Sequence, residues 1–520
     1  MDKGFIRVKV DLLKNATDDI FKKYEIDSDL KTKAVRGAGI TVFSQVLTFA
    51  IHISSAMILA RLLTPVDFGL VTMVTTFSLL LQNFGFNGFT EAIIQKEDLK
   101  HEHASAIFWI NITFGICLTI LFMLSGSLLA LFYGEVKLKL ITVFISFSII
   151  ASSLSTVHLA LIKRNMQFFH VSLNSVIAKA LSLTLAIIFA YTGYHYWALV
   201  ISTVALPLSS AIGGWYLCPW KPGLPRLTSD VKIMFKFALN TYGNFTLNYF
   251  SRNIDNLLIG WRYKSQALGY YKKAYDLFAM PVNQLIAPLT SVALATLSRL
   301  KSDPTKYCRY YIDSIASIAF ISTLISLILT INGKDIIIFI LGPQWIKSGE
   351  IFTYFGVGIG AMLIYGTHGW LHLSLGNANR WLRWGILEIL VTTLSFIIGL
   401  PFGPSGVAAA WTISFYILLI PSIWYAGKPV NLKIYNVIKS IWRYFLSAIL
   451  SGLIAWYLLN KVSVIEIIFH NLNIILRIII SSAICTLVNL INIIIIFQSK
   501  KPITKIIALF YEMLPSFHKK

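Results

Sequence analysis

The sequence predicts an all-α polytopic membrane protein with about fourteen transmembrane helices. Three observations carry that prediction. Of 520 residues, 56% are hydrophobic and only 13% are charged, and the mean hydropathy is +0.70. A soluble domain holds about 25% charged residues, so roughly half the ordinary charge is missing. Apolar runs long enough to cross a hydrocarbon core of ~30 Å recur along the chain, joined by short basic connections.

The apolar runs fall near 38–60, 68–92, 104–131, 138–161, 170–192 and 195–217, then 233–259, 269–297, 309–331, 349–373, 382–401 and 404–426, and lastly 441–460 and 474–498. A polar link with Pro219, Pro222 and Pro225 separates the first six from the rest. The organisation read from these runs is an N-terminal extension (1–35), a six-helix bundle (36–217), a linker (218–232) and a second six-helix bundle (233–426). Two additional helices (427–498) and a tail (499–520) complete it. "KDIIIFILGPQW" is too short to span and reads as an interfacial turn of helix. In the extension, Leu12, Leu13, Ala16, Ile20, Phe21 and Tyr24 form one helical stripe, suited to the membrane surface or to the protein's own loops. No small-residue cleavage site follows the first apolar segment.

Charge sets orientation. The 45 Lys and Arg against 23 Asp and Glu give a net charge of +22. Such a balance can attract nucleic acid, but the basic residues here lie in short loops beside apolar runs, so no nucleic-acid partner is expected. Placing both termini in the cytoplasm puts most membrane-proximal Lys and Arg inside, while "YTGYHYW" and "PFGPSG" outside hold none. The expected topology is multi-pass with both termini cytoplasmic.

The chain repeats itself weakly. At an offset of 200 residues, "ILARLLTPVDFGLV" from position 58 meets "LIGWRYKSQALGYY" from 258, aligning Phe68-Gly69 with Leu268-Gly269. "TGYHYWALV" before the sixth span likewise resembles "FGPSGVAAA" before the twelfth. Parallel repeats around a cavity, with substrate near the midplane, are a transporter architecture. Under the same offset His52 falls on Arg252, so two basic-capable groups are expected to approach one volume from opposite walls.

Several chemistries are excluded. The sequence has no GxxxxGK[ST] and no HExxH, and no cofactor or metal is expected. His368 and His372 have metal-ligand spacing without a third ligand, so they read as polar residues near a cavity or interface. The "HEH" at 101–103 reads as solvated. Cys117, Cys218, Cys308 and Cys485 are too scattered for a disulfide framework or a zinc site. Every loop is short and none carries an acidic catalytic motif, so the chain reads as no enzyme, a membrane glycosyltransferase included.

Polar residues within apolar runs usually face a cavity or a partner, because an intramembrane charge costs about 2.5–3.5 kcal/mol. The second span carries Gln82, Asn83, Asn87 and, late in the run, Glu91. His52, Lys179 and Arg252 add basic character, and with Gln82, Asn83 and Asn87 they form the candidate substrate cavity. Glu91, Asp255, Asp276 and Glu388 are the acids able to couple transport to a proton or sodium ion. Asp313 reads as interfacial. Arg252 and Asp255, three apart, would share a helix face as an ion pair. A cavity of cationic character favours an anionic substrate group such as phosphate or pyrophosphate.

"ARLLTPVDFGLVTM", "AIIQKEDLKHEHASAIFWIN" and "SLGNANRWLRWGILEILVTTLSFIIGLPFGPSGVAAAWTIS" together resemble the Wzx-type polysaccharide flippases of the multidrug/oligosaccharidyl-lipid/polysaccharide exporter superfamily. Arg61, Leu63, Pro65, Phe68 and Gly69 carry the more specific part of the pattern, and the likeness runs over roughly residues 35 to 430. The resemblance implies two six-helix bundles forming a V around a central cavity. It implies export of an undecaprenyl-pyrophosphate-linked oligosaccharide by alternating access, driven by an ion gradient, alongside membrane lipids and other polysaccharide-assembly proteins. A drug/cation antiporter of the same superfamily is the alternative, and it would want acids at depth in the first bundle, where they are scarce.

Overall fold

The computed structural model describes residues 30–462 and 472–513, and among these there are helices, turns and no strand. The stripe between Leu12 and Tyr24 lies outside the described residues. The helices are α1 (Leu30–Leu62), α2 (Pro65–Gln95), α3 (His101–Leu124), α4 (Gly126–Tyr133), α5 (Leu138–Arg164), α6 (Phe168–Tyr191), α7 (Tyr196–Leu217), α8 (Ser229–Ser251) and α9 (Ile254–Arg299). They continue as α10 (Pro304–Leu341), α11 (Ile346–Tyr365), α12 (His368–Ser374), α13 (Ala378–Gly399), α14 (Gly403–Gly427), α15 (Ile434–Lys461), α16 (Ile474–Phe497) and α17 (Lys501–Met513). Eleven segments of the described residues are long and apolar enough to cross a membrane. One of them, Asn379–Val430, contains two of the predicted spans, and the more polar α8 and α9 are not among the eleven.

The chain divides into two compact units, one ending at Gly269 and one beginning at Tyr270. In the first, α3 packs on α5, α5 on α7 and α6 on α7, while α2 lies between α5 and α8. In the second, α10 packs on α11, α11 on α14 and α13 on α14. Three pairings therefore recur in the same chain order, which is the internal repeat seen as packing.

The last two spanning helices are attached by polar side chains. Ser447 Oγ donates to Asn489 Oδ1 at 2.8 Å, and Asn492 Nδ2 donates to Ser451 Oγ at 2.8 Å, joining α15 to α16. Ser481 donates to Asn332, and Arg477 pairs with Asp335 at 2.7 Å, joining α16 to α10. Lipid tails are as apolar as leucine, so helices in a bilayer associate through packing and through such hydrogen bonds.

Three expectations about continuity are corrected. The segment read as an interfacial turn is the end of α10, which runs unbroken for 38 residues until Gly342 and Pro343 stop it. Gly333 lies inside the helix without ending it, whereas Gly342, with φ of 103°, closes it before Pro343. The seventh predicted span is interrupted: α8 closes at Ser251, and Arg252 and Asn253 form a turn before α9. Arg252 and Asp255 therefore do not share a helix face. The third span likewise breaks at Ser125, whose hydroxyl turns back to the Phe122 carbonyl at 2.7 Å.

Candidate functional site

The start of α2 is built locally. Thr64 is the N-cap in an extended conformation, Pro65 occupies the first helical position, and Asp67 closes a reciprocal capping box. Asp67 Oδ2 accepts from the Thr64 amide at 2.9 Å and from its hydroxyl at 2.7 Å. A cap of this kind stabilises a helix start by about 1 kcal/mol. The equivalent start after the 200-residue offset lies inside α9 and is built differently. Lys264 sits there with φ of 67° and ψ of −174°, a left-handed backbone that suits glycine. Its Nζ donates to the Tyr133 carbonyl at 2.7 Å, and Ser265 Oγ donates to Glu135 Oε1 at 3.3 Å. The loop after α4 thus holds this turn.

These two helix starts cross. A Cβ on Gly69 would overlap the carbonyl group of Ser265, and a Cβ on Gly269 would overlap that of Pro65. Ser265 and Gly269 are the 200-residue counterparts of Pro65 and Gly69, so the contact is symmetric. Only glycine allows backbones this close.

Along α2 the polar residues have specific partners. Gln82 Nε2 donates to Ser148 Oγ on α5 at 2.7 Å, and Asn83 Nδ2 donates to the Leu79 carbonyl at 2.7 Å. Both are half-buried, while the side chain of Asn87 lies outside the described residues. Opposite them, Tyr242 and Tyr249 of α8 donate to the α2 carbonyls of Leu80 at 2.9 Å and Thr76 at 2.8 Å.

The other predicted residues are spread out. His52 is exposed on α1 and Lys179 is half-buried on α6. Arg252 is exposed as the C-cap of α8. Asp255 is buried in the first turn of α9, where its Oδ1 accepts from the Asn256 amide at 2.8 Å. Asp276 forms an ion pair with Lys272 at 2.9 Å, one helical turn away. Glu91 is exposed and near enough to Lys163 to interact with it electrostatically, and Glu388 is half-buried on α13. Asp313 pairs with Lys505 of α17 at 2.8 Å.

Several further groups lie beside these residues. Lys272 was legible through its i, i+4 spacing to Asp276. Arg164 caps α2, its guanidinium donating to the carbonyls of Ile93 at 2.9 Å and Glu97 at 2.8 Å. The "HEH" stretch is not all solvated: His103 is buried and lies 3.6 Å from Asp230. A hydrogen bond from Lys96 holds the Asp230 carboxyl below the usual carboxylate range. His158 is fully buried with its ring stacked 4.3 Å from Trp215. His368 and Tyr425 lie 210 residues after His158 and Trp215, and His368 is buried against Tyr365 at 4.5 Å. Among the described residues, no group of three His, Cys, Asp or Glu side chains is placed to hold a metal ion.

A repeated all-helical chain with polar groups inside apolar helices and close-crossing glycines defines a multi-pass membrane protein of transporter type. The family described as "Polysaccharide biosynthesis protein" matches residues 58–350, and the chain belongs to that family. It is 25% identical over 374 residues to the teichuronic acid biosynthesis protein TuaB of Bacillus subtilis, covering 71% of this chain and 77% of that one. It is 20% identical over 322 residues to the lipopolysaccharide biosynthesis protein WzxC of Escherichia coli, covering 61% of this chain and 65% of that one. The fold is similar to that of the lipid II flippase MurJ in an inward closed conformation, with a TM-score of 0.69 at 17% identity, covering 89% of this chain and 99% of that one.

Proposed function

We propose that the protein is a flippase that carries a lipid-linked oligosaccharide, joined through undecaprenyl pyrophosphate, across the bacterial inner membrane for surface polysaccharide synthesis. It is a transporter and not an enzyme. The observation that carries this reading is the seam between α2 and α8, where Gln82, Asn83 and tyrosines sit within otherwise apolar helices. Lipid-exposed helices have no use for such groups, whereas a head group of sugars and phosphates needs them. Family membership and the MurJ-like fold support the same reading.

The mechanism is alternating access coupled to a proton or sodium gradient. Fourteen spans with both termini cytoplasmic are part of the proposal, with the crossing of Gly69 and Gly269 at the outer ends of their helices. His52, Gln82, Asn83, Asn87, Lys179 and Arg252 contact substrate, with Arg252 on the pyrophosphate through its planar donor fork. Glu388 is the first candidate for ion coupling, followed by Asp276, Glu91 and Asp255. Other polysaccharide-assembly proteins are its partners.

The test is deletion followed by reconstitution. Cells lacking the gene should accumulate the lipid-linked repeat unit on the inner leaflet and lose the corresponding surface polysaccharide. Purified protein in vesicles should expose that lipid to a sugar-modifying enzyme added outside. Extrusion of cationic dyes with no change in polysaccharide would reassign the chain as an antiporter.

A further inference from the structure

Six aromatic rings in the first unit form an unbroken row. Phe235 of α8 lies 5.8 Å from Phe114 of α3, which lies 5.1 Å from Phe84 of α2. Phe84 lies 4.9 Å from Tyr242, Tyr242 lies 6.2 Å from Phe245, and Phe245 lies 5.8 Å from Tyr249, all three on α8. Tyr242, Phe245 and Tyr249 recur at three- and four-residue spacing and so occupy one face of α8. From Phe235 to Tyr249 the row advances about 21 Å, two thirds of a hydrocarbon core.

Three features separate this row from ordinary packing. One edge of the row rests on the core, where Phe84 and Phe235 pack against buried Phe89, but its members are not themselves sealed: Phe114 is 38% exposed and the other five are half-buried. It runs lengthwise along a helix seam, whereas aromatic belts gather at the two membrane interfaces. The two tyrosine hydroxyls are already bonded to the α2 carbonyls of Leu80 and Thr76, so these residues offer fixed rings rather than free hydroxyls. Gln82 and Asn83, also half-buried, flank Phe84 on α2.

We propose that this row is a track on which the sugar rings of the substrate stack as they cross, an inference that rests on the flippase reading above. An aromatic ring is electron-rich on its face, and one face of a pyranose is a patch of weakly positive C–H groups. Stacking needs only a C–H-rich face and not a fixed set of hydroxyl partners, so successive sugars can slide from ring to ring. The neighbouring amides meet the hydroxyls at the sugar edge.

Phe245→Leu keeps the apolar volume and removes the ring face, while Phe245→Trp keeps a ring. Full-length protein in detergent is titrated with two probes. One is the free oligosaccharide released by mild acid from lipid-linked precursors of the host membranes, and the other is isoprenyl pyrophosphate without sugar. Saturation-transfer NMR should show sugar C–H protons nearest the protein in the wild type and in Phe245→Trp. Phe245→Leu should bind the oligosaccharide about two- to ten-fold more weakly and the sugar-free lipid unchanged. Equal oligosaccharide binding by Phe245→Leu and wild type would overturn the track. Weakening of the sugar-free lipid instead would assign the row to the lipid tail. The flippase reading fails separately, if deleting the gene leaves lipid-linked intermediates and surface polysaccharide unaltered.

Discussion

Gly69 and Gly269 stand at equivalent places on two crossing helices, each against the backbone of the residue that opens the other. Neither contact involves a side chain that could rotate away. Gly69→Ala and Gly269→Ala each force the helices apart, costing about 1–3 kcal/mol in any state that keeps the crossing. Both variants should reach the membrane and lose export. Gly385→Ala, where nothing lies within 4 Å, is the control and should be neutral or slightly stabilising. Normal surface polysaccharide with either crossing variant would mean the contact is dispensable.

Lys264 combines a strained backbone with a useful side chain, and the two can be separated. Lys264→Ala loses the bond to Tyr133 and keeps the strain, whereas Lys264→Gly loses the bond and relieves it. Melting of the detergent-solubilised protein should rank wild type above Gly and Gly above Ala, the last step being about 1 kcal/mol. Alanine equal to or above glycine would show that φ at this turn carries no strain.

Orientation is checked by thiol labelling of intact cells. Gly193 and Gly403 have positive φ and tolerate replacement poorly, so their exposed neighbours Tyr194 and Phe402 are the better sites. In a background lacking the exposed Cys117, cysteines at Tyr194 and Phe402 should label from outside. A cysteine at Ser302 should label only after lysis. Outside labelling of Ser302 contradicts cytoplasmic termini.

Arg252 lies on an exposed turn and Asp255 is buried on the following helix. Arg252→Lys keeps the charge but loses the donor fork, and should reduce export at normal expression. The exchange Arg252→Asp with Asp255→Arg should not restore it. Full export by the exchanged protein would make the two residues a structural pair.

Asp276 is engaged by Lys272 at 2.9 Å, so its carboxylate already has a partner within its own helix. Glu388→Gln should therefore abolish the dependence of flipping on an imposed ion gradient in vesicles. Asp276→Asn should impair it less. The reverse order would transfer ion coupling to α9.

Helices were legible in the sequence because a span is a long apolar run, and each predicted run overlaps a helix. Interruptions were not, since Arg252-Asn253 contains no Pro or Gly and the single Gly126 beside Ser125 lies inside a long apolar run that reads as continuous. Lys264 gave no sign of its left-handed backbone, for only glycine or asparagine would announce one. The polar residues of α2 were legible because they violate the apolar pattern. Their aromatic neighbours on α8 were overlooked because Tyr and Phe obey it.

The unequal construction of the two helix starts has a consequence for biosynthesis. Thr64, Pro65 and Asp67 leave the ribosome together and can set the first start unaided. The second start needs Tyr133, made 131 residues before Lys264. At about 5–20 residues per second, that leaves roughly 7 to 26 seconds for the earlier hairpin to insert and wait. The first repeat is therefore a mould for the second. A chain cut between residues 218 and 232 should assemble when the two fragments are co-expressed, and the later fragment alone should be cleared by membrane quality control.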